Sequence, residues 1–84
     1  MKKVIMFSAS WCPPCQRTKP VFVALRQEVK DIQLEIVDID EAKNLAEQFD
    51  VRAVPTFVLL NDDKEVTRKS GGMTAEQLKA FINQ

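Results

Sequence analysis

The chain has 84 residues, 45% of them hydrophobic and 29% charged, which excludes a disordered chain and fits a single small domain over residues 1–84. Lys and Arg total 12, Asp and Glu total 12, and no histidine is present. Zero net charge argues against a nucleic-acid or polybasic membrane surface, and the lack of histidine excludes His-based acid–base catalysis and His-ligated metals.

The N-terminal residues do not predict a targeting signal. Two lysines precede an apolar run at residues 4–7, which is shorter than the roughly 7–15 residues of a signal-peptide core. No stretch approaches the roughly 20 apolar residues of a membrane helix. We therefore expect a cytoplasmic location, where thiols stay reduced and a close cysteine pair is more often catalytic or metal-binding than structural.

The first half of the chain alternates between strand and helix patterns. Residues 4–7 are wholly apolar, which indicates a strand buried on both faces. Pro13 and Pro14 open a helix that continues to about Lys30, and Pro20 inside it is expected to bend the helix without ending it. Residues 32–39 predict a second strand.

The second half predicts a helix, a hairpin and a final helix. Asp40 is positioned to N-cap the first of these helices, and residues 54–60 predict a third strand. A turn at 61–64 leads into a polar edge strand at 65–69, with Val66 facing inward. A capping box of Thr74 and Gln77 follows and opens the last helix. The order βαβ then αββα predicts an α/β fold with a four-stranded mixed sheet flanked by three helices.

The chemistry of the chain is concentrated at residues 11–15, Trp-Cys-Pro-Pro-Cys, where a strand ends and a helix begins. The free backbone N–H groups of a helix N-terminus favour a thiolate at Cys12, and the two prolines restrict the turn. Cys15 lies one turn further in and is expected to be the more buried cysteine. It can then attack a mixed disulfide on Cys12 and release the reduced substrate.

Two other uses of the cysteine pair are weaker. A zinc site needs about four ligands, so two cysteines without histidine would require a second chain. A structural disulfide is disfavoured because closing so short a loop removes little unfolded-state entropy. Thiol–disulfide exchange is therefore the favoured chemistry.

The sequence resembles the thioredoxin family over nearly its whole length. Residues 11–15 are similar to the family's Trp-Cys-Gly-Pro-Cys signature, with Pro13 in place of glycine, and Pro20 falls where thioredoxins kink the same helix. Residues 49–56 resemble the segment around the family's cis-proline, and Gly71 resembles the glycine that closes the substrate groove. Without the N-terminal strand and helix of a full-length thioredoxin, the resemblance implies a minimal, glutaredoxin-sized thioredoxin fold.

The resemblance also implies a substrate groove. A cis bond between Val54 and Pro55 would expose the Val54 backbone to an extended substrate segment, and Trp11 would flank the groove. Met73 is expected to contribute to its apolar contact patch. The residues expected to bind substrate are Trp11, Pro13, Pro14, Val54, Pro55, Gly71 and Gly72.

Two positions depart from the family pattern. Thioredoxins carry a buried aspartate six residues before the first active-site cysteine, where this chain has Met6, and the lysine paired with it aligns with Ile36. No other carboxylate is clearly placed to replace the aspartate. We expect water or the departing substrate thiol to handle the proton of the second cysteine.

The function implied is a monomeric protein-disulfide reductase that carries electrons in cell redox homeostasis. It would bind no cofactor and be re-reduced by a flavoprotein reductase that uses NADPH. One alternative is a glutathione-linked, glutaredoxin-like oxidoreductase, which the small size supports but Thr74 opposes, since glutaredoxins usually have aspartate there. Another is a binding subunit that docks a protein partner in the groove and has incidental redox activity.

Overall fold

A computed structural model describes residues 1–84 and has the order βαβαββα. The elements are β1 (Lys2–Ser8), α1 (Pro13–Glu28), β2 (Ile32–Asp38), α2 (Lys43–Gln48), β3 (Thr56–Asn61), β4 (Lys64–Ser70) and α3 (Ala75–Ile82). The strands lie in the order β2-β1-β3-β4. β1 runs parallel to β2 and antiparallel to β3, and β4 is antiparallel to β3. The predicted four-stranded mixed sheet with three helices is confirmed.

β1 is apolar on both faces because helices cover both faces of the sheet. Its alternate residues Val4 and Met6 pack in a core cluster with residues of α1 and α3. Ile5 and Phe7 pack in a second cluster on the other face, against residues in and around α2. Fully burying a side chain of this size contributes about 1.5–3 kcal/mol, so this central strand anchors both layers of the domain.

α1 begins where the two prolines predict it. Pro13 and Pro14 occupy its first two positions, and Pro20 lies within the helix without ending it. The helix ends at Glu28, short of the predicted Lys30, because Val29 already has extended backbone angles (φ −104°, ψ 110°). None of the three helices has the length and apolarity needed to cross a membrane.

The predicted N-cap of α2 is wrong. Ala42 occupies the cap position and makes no side-chain capping bond. The turn before the helix is held instead by Asp38, whose Oδ1 accepts hydrogen bonds from the backbone N–H groups of Asp40 (2.8 Å) and Glu41 (3.3 Å). The carboxylate of Asp40 therefore does not cap α2 and can accept a hydrogen bond from another part of the molecule.

The β3–β4 hairpin confirms the predicted turn but not the inward orientation of Val66. Asp62 and Asp63 both have positive φ (52° and 69°), as a tight turn requires. The register then shifts: Leu60 pairs with Glu65, whereas Leu59 pairs with Thr67. Val66 is the extra residue of this bulge and is 52% exposed.

A bidentate ion pair lies at the bulge. Arg68 donates from Nε and Nη2 to the two carboxylate oxygens of Glu65 at 2.6 and 2.7 Å. These hydrogen bonds hold the pKa of Glu65 below its ordinary value. Both side chains are about one third exposed, so the pair contributes at most about 1 kcal/mol.

The exposure of Val66 predicts that its side chain is replaceable. We expect Val66→Thr to change the free energy of unfolding by no more than about 0.5 kcal/mol, as at most surface positions. The same substitution at the fully buried Val58 places a hydroxyl in the core and should cost about 1–3 kcal/mol. Urea unfolding of both variants measures the difference, and equal losses would show that Val66 faces the core.

Candidate functional site

Cys12 and Cys15 lie at the N-terminus of α1 and are joined by a disulfide, with their Cα atoms 5.2 Å apart. Cys12 is the N-cap, and its Sγ accepts the backbone N–H of Cys15 at 3.2 Å. The first turn of α1 contains no acidic residue. After reduction, the hydrogen bond from the Cys15 backbone N–H and the positive end of the helix dipole both stabilise a thiolate on Cys12.

The two cysteines differ little in burial. Cys15 is 0% exposed and Cys12 is 4% exposed, which confirms that Cys15 is the more buried of the pair. Cys12 is itself almost fully buried, because it packs in a small cluster with Ala9 and Cys15, against Ile39 and Val54. Only a small part of Cys12 is therefore accessible to a substrate.

The loop before β3 packs against Cys12. Cys12 Sγ lies 3.5 Å from the carbonyl oxygen of Val54. The Val54–Pro55 peptide bond is cis, as the sequence predicts. Pro55 is buried, and its carbonyl oxygen accepts the backbone N–H of Gly71 at 2.8 Å. Val54 was predicted to be part of β3, but the strand begins at Thr56 and Val54 remains in the loop beside the cysteines.

Trp11 flanks the cysteines as predicted, with 64% of its surface exposed. Its indole Nε1–H donates a hydrogen bond to Asp40 Oδ2 at 2.9 Å. This contact assigns Asp40 to the site, although the sequence suggested only a helix cap for it. Asp40 follows the end of β2, which is parallel to β1, so both side chains emerge at the same edge of the sheet.

We expect the Asp40 carboxylate to hold the Trp11 ring in place. Asp40→Ala should speed hydrogen exchange at the indole N–H and raise the mobility of the ring in nuclear magnetic resonance spectra. The unfolding free energy should fall by about 1 kcal/mol or less, because both groups are exposed. Glu41→Ala removes the neighbouring exposed carboxylate and is the matched control. Equal indole behaviour in the two variants would contradict the assignment.

A groove runs from the start of α1 to the start of α3. Its lining residues are Pro14, Arg17, Thr18, Gly72, Met73, Thr74 and Gln77. A Cβ atom on Gly72 would lie 3.1 Å from Thr18 Oγ1, so glycine permits the close approach of these two segments. Gly71 has φ +101°, a conformation that favours glycine. Pro13 is exposed beside the groove.

This groove contains only Pro14 and Gly72 of the predicted substrate-binding residues, and most of its lining residues are polar. Met73 is only 6% exposed and packs in the core with Leu78. It precedes the N-cap Thr74 of α3, and Leu78 lies one turn into that helix, so the two form a hydrophobic staple. The staple turns Met73 inward, while Arg17 and Gln77 give the groove its polar lining.

The two positions that depart from the family pattern are neighbours in the sheet. Met6 and Ile36 are register partners in β1 and β2, and Met6 is 0% exposed. No group of three or more cysteine, aspartate or glutamate side chains is arranged to hold a metal ion.

Comparison with known proteins agrees with this geometry. The thioredoxin family model matches residues 1–84. The chain is 42% identical over 69 residues to thioredoxin H5 of rice, covering 82% of this chain and 51% of that protein. It is 40% identical over 79 residues to an H-type thioredoxin of Brassica oleracea, covering 94% of this chain and 63% of that protein. The chain therefore spans less than two thirds of the length of these relatives.

The crystal structure of Fasciola hepatica thioredoxin superimposes with a TM-score of 0.92 at 36% identity, covering 98% of this chain and 78% of that one.

Proposed function

The chain belongs to the thioredoxin family, and from this premise we propose that it reduces protein disulfides through the Cys12–Cys15 dithiol. The observation that carries the proposal is the position of the pair. Both sulfurs lie at the N-terminus of α1 and are bonded to each other, and Cys12 Sγ lies beside the Val54 carbonyl. That arrangement supplies a stabilised thiolate and a second thiol that can reach it.

The reaction transfers two electrons from the protein to the substrate. The Cys12 thiolate attacks one sulfur of the substrate disulfide, forming a mixed disulfide and expelling the other substrate sulfur as a thiolate. Cys15 then loses its proton and attacks Cys12 Sγ. This step breaks the mixed disulfide, forms the Cys12–Cys15 disulfide and releases the second substrate sulfur, which takes up a proton. The structure holds the oxidised protein at the end of this cycle.

The surface around Cys12 suits a segment of protein chain. Trp11, which precedes Cys12, presents a large exposed ring, and the exposed Gly71 and Gly72 carry no side chains. Val54 is half-buried in a loop outside the sheet ladder, so an extended substrate can pair with its backbone. A mostly backbone contact would accept varied protein partners.

The return to the dithiol needs an external reductant. We place the protein in the cytoplasm as a monomer and assign re-reduction to a flavoprotein reductase that uses NADPH, without a cofactor bound to this chain. Thioredoxins are the relatives that support this assignment.

The glutathione-linked alternative has less support from the groove. Thr74 stands where glutaredoxins usually have an aspartate that holds the glutathione amine. Its Oγ1 accepts the backbone N–H of Gln77 at 3.2 Å, and its own N–H donates to Gln77 Oε1 at 2.9 Å. Both polar groups of Thr74 therefore serve the cap of α3.

A reduction assay separates the candidate functions. A disulfide-bonded test protein is incubated with this chain, NADPH and thioredoxin reductase, beside a second reaction with glutathione, NADPH and glutathione reductase. We expect NADPH consumption in the first reaction and little in the second. Consumption confined to the second would favour the glutaredoxin-like function. Consumption in neither, by a folded and fully reduced protein, would favour the binding subunit. Protein with both cysteines alkylated is the control.

A further inference from the structure

Ser8 carries the only buried side-chain nitrogen or oxygen in the chain that has no hydrogen-bond partner. It is the last residue of β1 and is 2% exposed. A buried hydroxyl without a partner costs about 1–3 kcal/mol, so buried polar groups are nearly always paired. A protein partner present only in another state would account for such a group.

The fold places this hydroxyl under the first turn of α1. Ser8 continues the alternation of Val4 and Met6, which face α1 and α3. The buried face of α1 is formed by Cys15, Thr18, Phe22 and Leu25. The residue after Ser8, Ala9, packs with both cysteines, and its carbonyl oxygen accepts the backbone N–H of Cys12 at 3.3 Å.

Cys15 Sγ takes part in no hydrogen bond in the oxidised protein, whereas Cys12 Sγ has two polar contacts. Cys15 is 0% exposed, and a buried thiolate without a donor is strongly disfavoured. Met6, on the same face of β1, is apolar. The ionisable residues on the neighbouring elements include Asp38, the register partner of Ser8 on β2, and Lys19 on α1. Asp38 already accepts two backbone N–H groups through Oδ1, and a carboxylate does not donate to a thiolate.

We propose that Ser8 is a positioning residue for Cys15, and this rests on the proposed dithiol function. In the reduced protein the Ser8 hydroxyl donates a hydrogen bond to Cys15 Sγ and stabilises the thiolate that attacks the mixed disulfide. The Cys15 proton passes to the departing substrate sulfur, and Ser8 keeps its own proton. When the Cys12–Cys15 disulfide forms, the sulfur loses its charge and the hydroxyl is left unpaired.

The resolving step can be measured without a protein substrate. Cys12 is converted to its mixed disulfide with thionitrobenzoate, and the release of thionitrobenzoate by Cys15 is followed across a pH series. We expect Ser8→Ala to slow release roughly tenfold near neutral pH, the size of one hydrogen bond to a charged group. The pH midpoint of release should rise by about one unit, the equivalent of that tenfold change.

Two further variants and a stability measurement test the assignment. Ser8→Thr keeps the hydroxyl and should restore most of the rate, and Ser10→Ala, at an exposed serine in the same segment, should leave it unchanged. Unfolding of oxidised Ser8→Ala should show no loss of stability, because the hydroxyl has no partner in that state.

An unchanged pH profile in Ser8→Ala, or equal slowing in Ser8→Ala and Ser8→Thr, would overturn the proposal. So would a loss of stability in oxidised Ser8→Ala without a change in release. The release assay is independent of the reduction assay. Release by a wild-type protein that fails to reduce protein disulfides would reject the proposed function and leave the role of Ser8 standing.

Discussion

Cys15→Ser is expected to convert the protein from a catalyst into a trap for its substrates. Cys12 keeps its place as N-cap of α1 and still attacks a disulfide, but no second sulfur remains to attack the bond that forms. Turnover should be lost while a covalent complex accumulates. Cys12→Ser should lose turnover and form no complex, since Cys15 lies inside the first turn of α1 and not at the N-cap position, and is also 0% exposed.

Non-reducing electrophoresis after mixing each variant with a disulfide-bonded protein measures the complex, and added dithiothreitol should dissolve it. The double variant, with serine at both positions, is the control for non-covalent association. Cys12 and Cys15 differ by only 4% in exposure, so the assignment depends on the helix position more than on burial. Equal trapping by both single variants would show that either sulfur can act as nucleophile.

The parts of the site that the sequence predicts well are those determined by neighbouring residues. Pro13 and Pro14 determine where α1 begins, and that start places both sulfurs at the helix end. Three of the four strands follow from short, largely apolar runs, and the polar β4 follows from the turn at 61–64 that precedes it. In each case the residues that predict an element lie within about ten residues of that element.

The sequence predictions fail where contacts between distant segments of the chain determine the structure. Val66 faces solvent because β4 slips by one residue against β3, and nothing within β4 encodes that bulge. Asp40 serves the Trp11 ring, a contact across 29 positions, because two parallel strands end at one edge. Met73 is an exception, since the capping box at Thr74 and the apolar Leu78 form a local staple that the sequence already contains.

Met6 is one of the two positions at which this chain departs from the family pattern. Its side chain is fully buried, with Ile36 beside it on β2 and Phe57 beside it on β3. All three are apolar, so a charge introduced here meets no partner. An unpaired buried charge of this kind typically costs about 3–5 kcal/mol.

We expect Met6→Asp to destabilise the protein by several kcal/mol at neutral pH. Burial disfavours the carboxylate, so its pKa in the folded protein should lie above the value of about 3.9 for an exposed aspartate. The unfolded state then ionises first as the pH rises, and the loss of stability grows from about pH 4 upward. Asparagine has nearly the shape of aspartate without the charge. The stability lost in Met6→Asn should therefore not depend on pH in this range. Urea unfolding of both variants from pH 4 to pH 7 separates the effect of the charge on stability from the effect of the changed side-chain shape.

The same substitution tests whether Met6 lies close enough to the cysteines to influence them. A carboxylate at this position repels a second negative charge through a medium of low dielectric, so the Cys12 thiolate should form at higher pH in reduced Met6→Asp than in Met6→Asn. Thiolate absorbance against pH measures the shift. Adding Ile36→Lys to Met6→Asp supplies a cation at the register partner. The double variant should regain part of the lost stability, and its Cys12 thiolate should form at a pH closer to that of the wild type. If Met6→Asp leaves the Cys12 titration unchanged, the neutral residue at this position has no electrostatic effect on the nucleophile.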